Sequence, residues 1–176
     1  MMENKALTNL NAALILFLLM VIYTLVINFG GYQANMQMSW ISYIIVVVGI
    51  MVLVIKYSKD MQGNLTFGNL FAYGFKTIAI LIIFFIAFTI LFYLVFPEYK
   101  LRLLEIMKEN TLKNATPENR DQALKGVEMM QKFFWVSMMA GILISFAILG
   151  AVGSLLGAAF SKRNPRGINN DFNQLS

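Results

Sequence analysis

The fold is decided by one stretch, residues 116–161, which reads TPENRDQALKGVEMMQKFFWVSMMAGILISFAILGAVGSLLGAAFS. It begins with Thr116, Pro117 and Glu118, an order that favours a helix N-terminus. Thr116 can cap the helix, Pro117 suits the first helical position, and the negative charge of Glu118 suits the helix dipole. From Phe133 to Ser161 the chain carries no charge, and a hydrocarbon layer needs only about 20 apolar residues to cross it. We predict one long helix that starts at Thr116 in water and continues as a membrane span; the same residues would also fit a kink at Phe133.

Composition places the whole chain in the same class. Its 176 residues are 59% hydrophobic and 13% charged, whereas soluble domains average about 25% charged residues. The formal charge of +5 comes from short segments between apolar runs, which indicates membrane orientation rather than nucleic-acid binding. The chain has no cysteine and no histidine, which excludes disulfides and metal or haem ligation by those side chains.

Three further apolar runs precede this stretch, so the predicted fold is an all-α membrane protein with four transmembrane helices. The first run is longer than the ~7–15-residue core of a signal peptide, and residues 28–30 lack a small-x-small cleavage pattern, so we interpret it as a retained span. The second run is rich in β-branched residues, but a helix is favoured because lipid offers no partners to the backbone of an open strand. The predicted spans cover residues 6–28, 40–55, 77–96 and 133–161, within a single domain of residues 1–161.

Two segments outside those runs have helical periodicity. Residues 63–76 open with a glycine and a Thr66 cap and place apolar side chains on one face, which predicts an interfacial amphipathic helix before the third span. Their glycines match no nucleotide-binding fingerprint. Residues 97–132 carry seven basic and six acidic side chains; they predict an extramembrane helical hairpin that turns around residues 110–115 and leads into the last span.

The last span carries the most specific pattern. Small residues share one side of it at helical spacing, Leu149, Val152 and Leu156 lie opposite, and residues 153–157 form a GxxxG motif. Such a face lets two helix backbones approach closely in lipid. We predict that it packs against another helix, and favour a partner in the same chain over a second copy or a foreign subunit. The face consists of Ala147, Gly150, Ala151, Gly153, Ser154, Gly157 and Ala158.

The positive charges predict the orientation. Four spans place both termini on one side of the membrane, and the positive-inside rule assigns that side to the cytoplasm. Basic residues beside the spans are also candidate contacts for anionic lipid headgroups; these are Lys56, Lys59, Lys76, Lys162, Arg163 and Arg166. The polar tail of residues 162–176 has no apolar periodicity and is predicted to be disordered.

The order of these features resembles the bacterial membrane proteins grouped as domain of unknown function 4199. The resemblance covers nearly the whole chain and rests on residues 63–75, on the exit of the third span at residues 92–97, on Met129-Met130, and on the small-residue last span closed by Lys162-Arg163. It implies four transmembrane helices in the inner membrane of a Gram-negative bacterium, where the orientation predicted from the charges would place the hairpin in the periplasm. It brings no catalytic residues, and implies an accessory role beside a membrane-associated glycosyltransferase.

Three functions fit this architecture. The favoured one is a non-enzymatic accessory or scaffold subunit that binds a membrane or periplasmic partner, or a further copy of itself, through the hairpin or the small-residue face. The alternative is a small oligomeric transporter or pore for a neutral or lipid-like solute, because no ionisable side chain lies inside the predicted spans. A membrane enzyme acting on lipid would need clustered acids, whereas Asp60 and Glu98 stand apart in the sequence. We therefore expect no catalytic residue, cofactor, metal or nucleic-acid partner.

Overall fold

The computed structural model describes residues 6–162, apart from the side chains of Met36 and Ser39, and all regular structure in that range is helical. Four of its helices are long and apolar enough to cross a membrane, which confirms the predicted fold class of a multi-pass helical membrane protein. The six helices are α1 (Asn9–Phe29), α2 (Met36–Asp60), α3 (Phe67–Val95), α4 (Pro97–Lys113), α5 (Arg120–Lys132) and α6 (Phe134–Phe160).

Local chemistry explains where the first four helices begin. The hydroxyls of Thr8 and Thr66 and the side-chain oxygen of Asn35 each accept a hydrogen bond from a backbone N–H in the first turn of α1, α3 and α2. These side chains satisfy amide groups that have no partner inside the helix. Helix α4 begins at Pro97, whose missing N–H is harmless at the first helical position. The predicted cap at Thr66 is confirmed.

The segment predicted to form an interfacial helix is continuous with the third span. Helix α3 runs without a break from Phe67 to Val95. Leu70, Tyr73 and Gly74 in its first turns are buried, as are the residues that follow them on the same face. Because this face packs against neighbouring helices from its first turns onward, the start of α3 belongs to the bundle.

The stretch predicted as one helix from Thr116 to Ser161 starts later than predicted and is divided once, at Phe133. Residues 116–119 form a turn closed by the N–H of Asn119 on the carbonyl of Thr116 at 3.1 Å, so α5 begins one turn later than predicted. Phe133, with φ −107° and ψ 31°, departs from helical geometry and separates α5 from α6. The physical reason is that the two helices pack against different neighbours: α5 packs on α4, whereas α6 packs on α2 and α3. The hairpin turn also falls later than predicted, after Lys113.

Helix α3 is the centre of the bundle, since it packs against α1, α2, α4 and α6. The core draws on all four spans and consists of Ala12, Ala13, Leu16, Met20, Val46, Ile50, Val54, Leu70, Tyr73, Ile78, Leu81, Ile82, Phe85, Phe146 and Ala158. The C-terminal ends of α2 and α6 meet where the Ser58 hydroxyl donates to the carbonyl of Lys162 at 3.3 Å. The rings of Tyr57 and Tyr73 stack beside them with centroids 3.8 Å apart. We call this the lysine end of the bundle, and the opposite end, which carries α4 and α5, the hairpin end.

Candidate functional site

The lysine end gathers four of the six basic residues predicted to contact anionic lipid. Lys56, Lys59, Lys76 and Lys162 are all exposed there, and Arg163 and Arg166 lie outside the described residues. Lys56 forms an ion pair with Asp60, at 3.0 Å between Nζ and Oδ2, one helical turn apart on α2. A pair of this kind contributes about 0.3–0.5 kcal/mol. The exposed ammonium groups therefore form a positively charged rim at one end of the spans.

A hydrogen-bond network at this end joins α1 to α3. The Asn9 side-chain N–H₂ donates to the carbonyl of Tyr73 at 2.8 Å and to the hydroxyl of Thr77 at 2.9 Å. The Tyr73 hydroxyl donates to the carbonyl of Leu7 at 3.0 Å. The position of Asn9 near a span end favours solvation by water or headgroups and gives no signal for a partner 64 residues away. The structure instead uses it to fix the start of α1.

The small-residue face of α6 is covered by α2 and α3. Gly150 lies against Ile78 of α3, while Gly153 and Gly157 lie against the backbone and side chains of α2. A Cβ built on these glycines would fall 2.4–2.7 Å from its nearest neighbour, closer than real carbon contacts allow. Ser154 and Ala158 are buried beside them, and Ala147 and Ala151 are half-buried. The close approach that this face permits is thus used inside the chain.

The space between α2, α3 and α6 is filled. Val46, Ile50 and Val54 of α2 and Leu81 of α3 are completely buried among apolar neighbours. Protein interiors packed in this way have few voids larger than a water molecule. This packing weighs against a solute path along the centre of a single copy.

At the hairpin end, aromatic rings attach α4 to the bundle. Phe29 of α1, Phe92 of α3 and Tyr99 of α4 form a cluster with ring centroids 5.5–6.3 Å apart. The Lys100 ammonium lies over the rings of Phe134 and Trp135, at 4.9 and 5.0 Å from their centroids. Edge-to-face aromatic pairs and cation–π contacts contribute about 0.5–1.5 kcal/mol each beyond the area they bury. The base of α4 is therefore held to α1, α3 and α6 at once.

The hairpin leaves large apolar side chains exposed outside the spans. Leu101 on α4 and Met129 on α5 are 66% and 65% exposed, and Met130 and Phe133 are exposed beside them in the sequence. We call these four the apolar hairpin residues. An amphipathic pattern predicts that apolar side chains face the partner helix, so their exposure could not be inferred from periodicity. At the base of the hairpin lies an apolar cavity of about 120 Å³, lined by Leu103, Leu104, Met107, Met130, Phe134, Ser137 and Met138.

The two acids considered for enzyme chemistry lie at opposite ends of the bundle. Asp60 is paired with Lys56 at the lysine end, and Glu98 sits in the first turn of α4 at the hairpin end. Glu98 there stabilises the helix N-terminus. Among the described residues, no three acidic side chains come close enough to hold a metal ion together. The structure therefore does not bring the two candidates into one site.

Comparison with known proteins gives one match. A family model described as protein of unknown function (DUF4199) matches residues 11–163. The matched range contains all four candidate spans except the first two residues of α1, together with the hairpin. No curated protein and no solved structure matches the chain.

Proposed function

The chain belongs to the DUF4199 family of proteins of unknown function, and from that premise we propose that it is a non-enzymatic accessory subunit whose hairpin binds a protein partner outside the bilayer. One observation carries this proposal. The small-residue face of α6 is covered within the chain, whereas the apolar hairpin residues remain uncovered outside the spans. The sequence predicts two docking surfaces, the small-residue face and the hairpin, and of these the hairpin is the one that remains exposed.

The chemistry of the hairpin suits a protein partner. Interface cores are rich in methionine and aromatic residues, and polar groups surround them. The hairpin exposes Met129, Met130 and Phe133 amid seven basic and six acidic residues of residues 97–132. We infer a partner surface with an apolar patch and mixed charge around it, and the membrane-associated glycosyltransferase implied by the family resemblance is the first candidate to test.

The proposed setting is the inner membrane of a bacterium, with both termini in the cytoplasm and the hairpin in the periplasm. Exposed Lys56, Lys59, Lys76 and Lys162 at one end of the bundle support this orientation, because basic residues beside spans favour the cytoplasmic side. At the cytoplasmic surface these lysines would also bind anionic lipid headgroups, each contributing about 1 kcal/mol.

The orientation is tested with single cysteines, since the natural chain contains none. We expect a membrane-impermeant maleimide to label Lys113→Cys on intact spheroplasts, because Lys113 ends α4 in the hairpin turn. Lys59→Cys at the lysine end should be labelled only after permeabilisation. The reverse pattern would place the hairpin in the cytoplasm, and labelling of both sites before permeabilisation would contradict a single span, α3, between them.

The partner is tested by a photoreactive amino acid at Met129, introduced in the native membrane. We expect one protein adduct of defined mass, because Met129 is exposed on the hairpin outside the spans. The matched site is Ile148, equally apolar and exposed but in the middle of α6, where we expect adducts with lipid. The adducts are identified by mass spectrometry after purification in mild detergent.

Charge substitutions separate a specific contact from mere proximity. The double change Leu101→Glu and Met129→Glu should abolish the protein adduct and the co-purification, because burying an unpaired carboxylate at an interface is unfavourable. Met129→Glu alone should already weaken both, whereas Gln131→Glu, which adds the same single charge at another exposed position of α5, should leave both intact. Lipid adducts alone at Met129, or an adduct with a second copy of the chain, would refute the accessory-subunit proposal.

A further inference from the structure

A polar cavity lies inside the hairpin-end half of the spans. It has a volume of about 250 Å³ and opens between α1 and α2, with Met20, Phe85 and Phe146 at its inner end near mid-span. The rest of it is lined by Ile27 and by hydroxyl and amide side chains, which are Tyr23, Thr24, Asn28, Ser42 and Tyr43. We call this cavity the polar chamber. Polar groups at membrane depth face cavities or partners, because lipid cannot satisfy them.

The hydrogen bonds of the wall leave acceptors for a ligand. The Tyr23 hydroxyl donates to the carbonyl of Met38, and the Thr24 hydroxyl donates to the carbonyl of Met20 at 2.8 Å. Both protons are therefore committed to the backbone, while each hydroxyl oxygen keeps a lone pair. These two hydroxyls therefore favour a ligand that donates hydrogen bonds to them.

Gln33 is not itself a lining residue, but it is hydrogen-bonded to the chamber wall and carries an acceptor that is unsatisfied within the described part of the chain. The Gln33 side-chain N–H₂ donates to the amide oxygen of Asn28 in the chamber wall, but Gln33 Oε1 is buried and has no hydrogen-bond partner among the described residues. A buried acceptor without a partner is unfavourable, so a donor group that reached it would stabilise the site. None of the residues that line the chamber is charged, so a charged head would lack a counter-ion in a low-dielectric site. The chamber thus favours a neutral group that carries O–H or N–H.

An apolar groove adjoins the chamber along the same two helices. It has a volume of about 400 Å³ and is lined by Ile15, Leu16, Leu19, Ile44, Ile45, Val48, Gly49, Val52 and Leu53. This volume falls within the ~300–1,000 Å³ range of small-molecule sites. Groove and chamber meet at consecutive residues, Leu19 and Met20 on α1 and Tyr43 and Ile44 on α2. Several of the lining side chains are exposed, so the groove opens laterally toward lipid.

We propose that this α1–α2 cleft binds a neutral single-chain amphiphile, with a hydroxyl-bearing head in the polar chamber and its hydrocarbon chain in the apolar groove. Water alone would fill the chamber but leaves the adjoining groove unexplained. A second copy of the chain would also cover the groove, and the oligomeric mass of Val48→Trp distinguishes that occupant from a small amphiphile. The cleft lies within the spans and the apolar hairpin residues lie outside them, so this proposal stands independently of the accessory-subunit proposal.

The test uses a photoreactive, clickable monoacylglycerol with the purified full-length protein in nanodiscs. We expect saturable labelling that maps to α1 and α2 and that unlabelled monoolein competes. Oleate, which has the same chain but a carboxylate head, should compete at least tenfold more weakly, because no lining residue of the chamber is charged. The readout is the labelled fraction by mass spectrometry against probe concentration.

Two matched pairs of variants locate the head and the chain. Thr24→Val removes a chamber hydroxyl and should weaken labelling about three- to tenfold, the value of one hydrogen bond. Thr89→Val removes the same type of hydroxyl, which donates to its own helix backbone at 2.7 Å outside the chamber, and should have no effect. Val48→Trp fills the groove and should block labelling, whereas Val152→Trp on the surface of α6 should not; the two valines are 44% and 42% exposed.

Four results would overturn the proposal. They are labelling that does not saturate and spreads over all four spans, equal competition by oleate, unchanged labelling of both Thr24→Val and Val48→Trp, and a Val48→Trp protein whose oligomeric mass falls by one copy. The last result would assign the groove to a second copy. Thermal unfolding in the same nanodiscs confirms that each variant is folded, and the Val48→Trp pair decides the question if Thr24→Val unfolds.

Discussion

Gly153→Leu is expected to prevent stable association of α6 with α2. A Cβ at this position would lie 2.7 Å from the carbonyl oxygen of Val47 and 3.1 Å from the Cβ of Ile50. A flexible side-chain tip can turn away from such a clash, but a backbone carbonyl moves only if the helices separate. Overpacking of a core costs about 1–3 kcal/mol, sometimes more, and a leucine here should reach or exceed that upper value. Against a typical stability of about 5–15 kcal/mol, the loss is large.

The measurement is the free energy of unfolding in mixed detergent micelles, read from the change in helicity. Gly141→Leu is the matched control, because Gly141 lies on the same helix and an added Cβ would meet no atom within 4 Å. We expect that variant to stay within about 0.5 kcal/mol of the natural protein, as exposed substitutions do. Gly153→Ala should fall between the two. If Gly153→Leu unfolds at the same detergent fraction as Gly141→Leu, α2 does not cover this face.

The small-residue face shows what the sequence can predict and where prediction stops. Its members recur at helical spacing, so their common side is determined by geometry alone. The helix that packs against this face is not determined in this way, because small residues accommodate any row of side chains that fits between them. The ridge that fills this face carries Ile50 and Val54 of α2, spaced four residues apart, but β-branched residues at that spacing are common in any span.

The break at Phe133 had no sequence signal. Sharp breaks usually occur at proline or paired small residues, whereas residues 131–135 read QKFFW. The break arises from tertiary packing, since α5 and α6 pack on different helices. At Gly74 the sequence does give a signal, but the structure uses the residue differently. In the sequence it suggests a separate surface segment, whereas in the structure it lets Ser154 of α6 approach α3.

The cleft between α1 and α2 could not be predicted from the sequence either. Thr24 and Asn28 lie near the end of a span, where headgroups commonly satisfy polar groups, and their spacing alone does not distinguish such contacts from a cavity wall. Only the packing of Phe85 and Phe146 at the inner end of the chamber shows that the polar groups face inward. Helix formation and the residues that share a helix face follow from the local sequence pattern. The position of a cavity depends instead on which helices pack together.

Phe92→Ala is expected to loosen the hairpin as well as destabilise the bundle. The Phe92 side chain is 5% exposed and joins the rings of Phe29 on α1 and Tyr99 on α4, with centroids 6.3 and 5.7 Å away. Truncation of a buried phenylalanine to alanine costs about 3–5 kcal/mol. Phe160→Ala is the matched control, because Phe160 is 69% exposed near the end of α6, and it should change stability by less than about 0.5 kcal/mol.

Hydrogen exchange distinguishes loss of stability from release of the hairpin. Under conditions where the spans of Phe92→Ala stay folded, amides of α4 should exchange faster than in Phe160→Ala, since Phe92 is a direct contact between α3 and the base of α4. The protein adduct at Met129 should decrease in parallel, because a hairpin free to reorient presents its apolar residues less often in the binding geometry. Unchanged exchange in α4 would instead assign the attachment to Lys100 on the rings of Phe134 and Trp135. In that case Lys100→Met, which keeps the length of the side chain and removes its charge, should produce the loosening that Phe92→Ala did not.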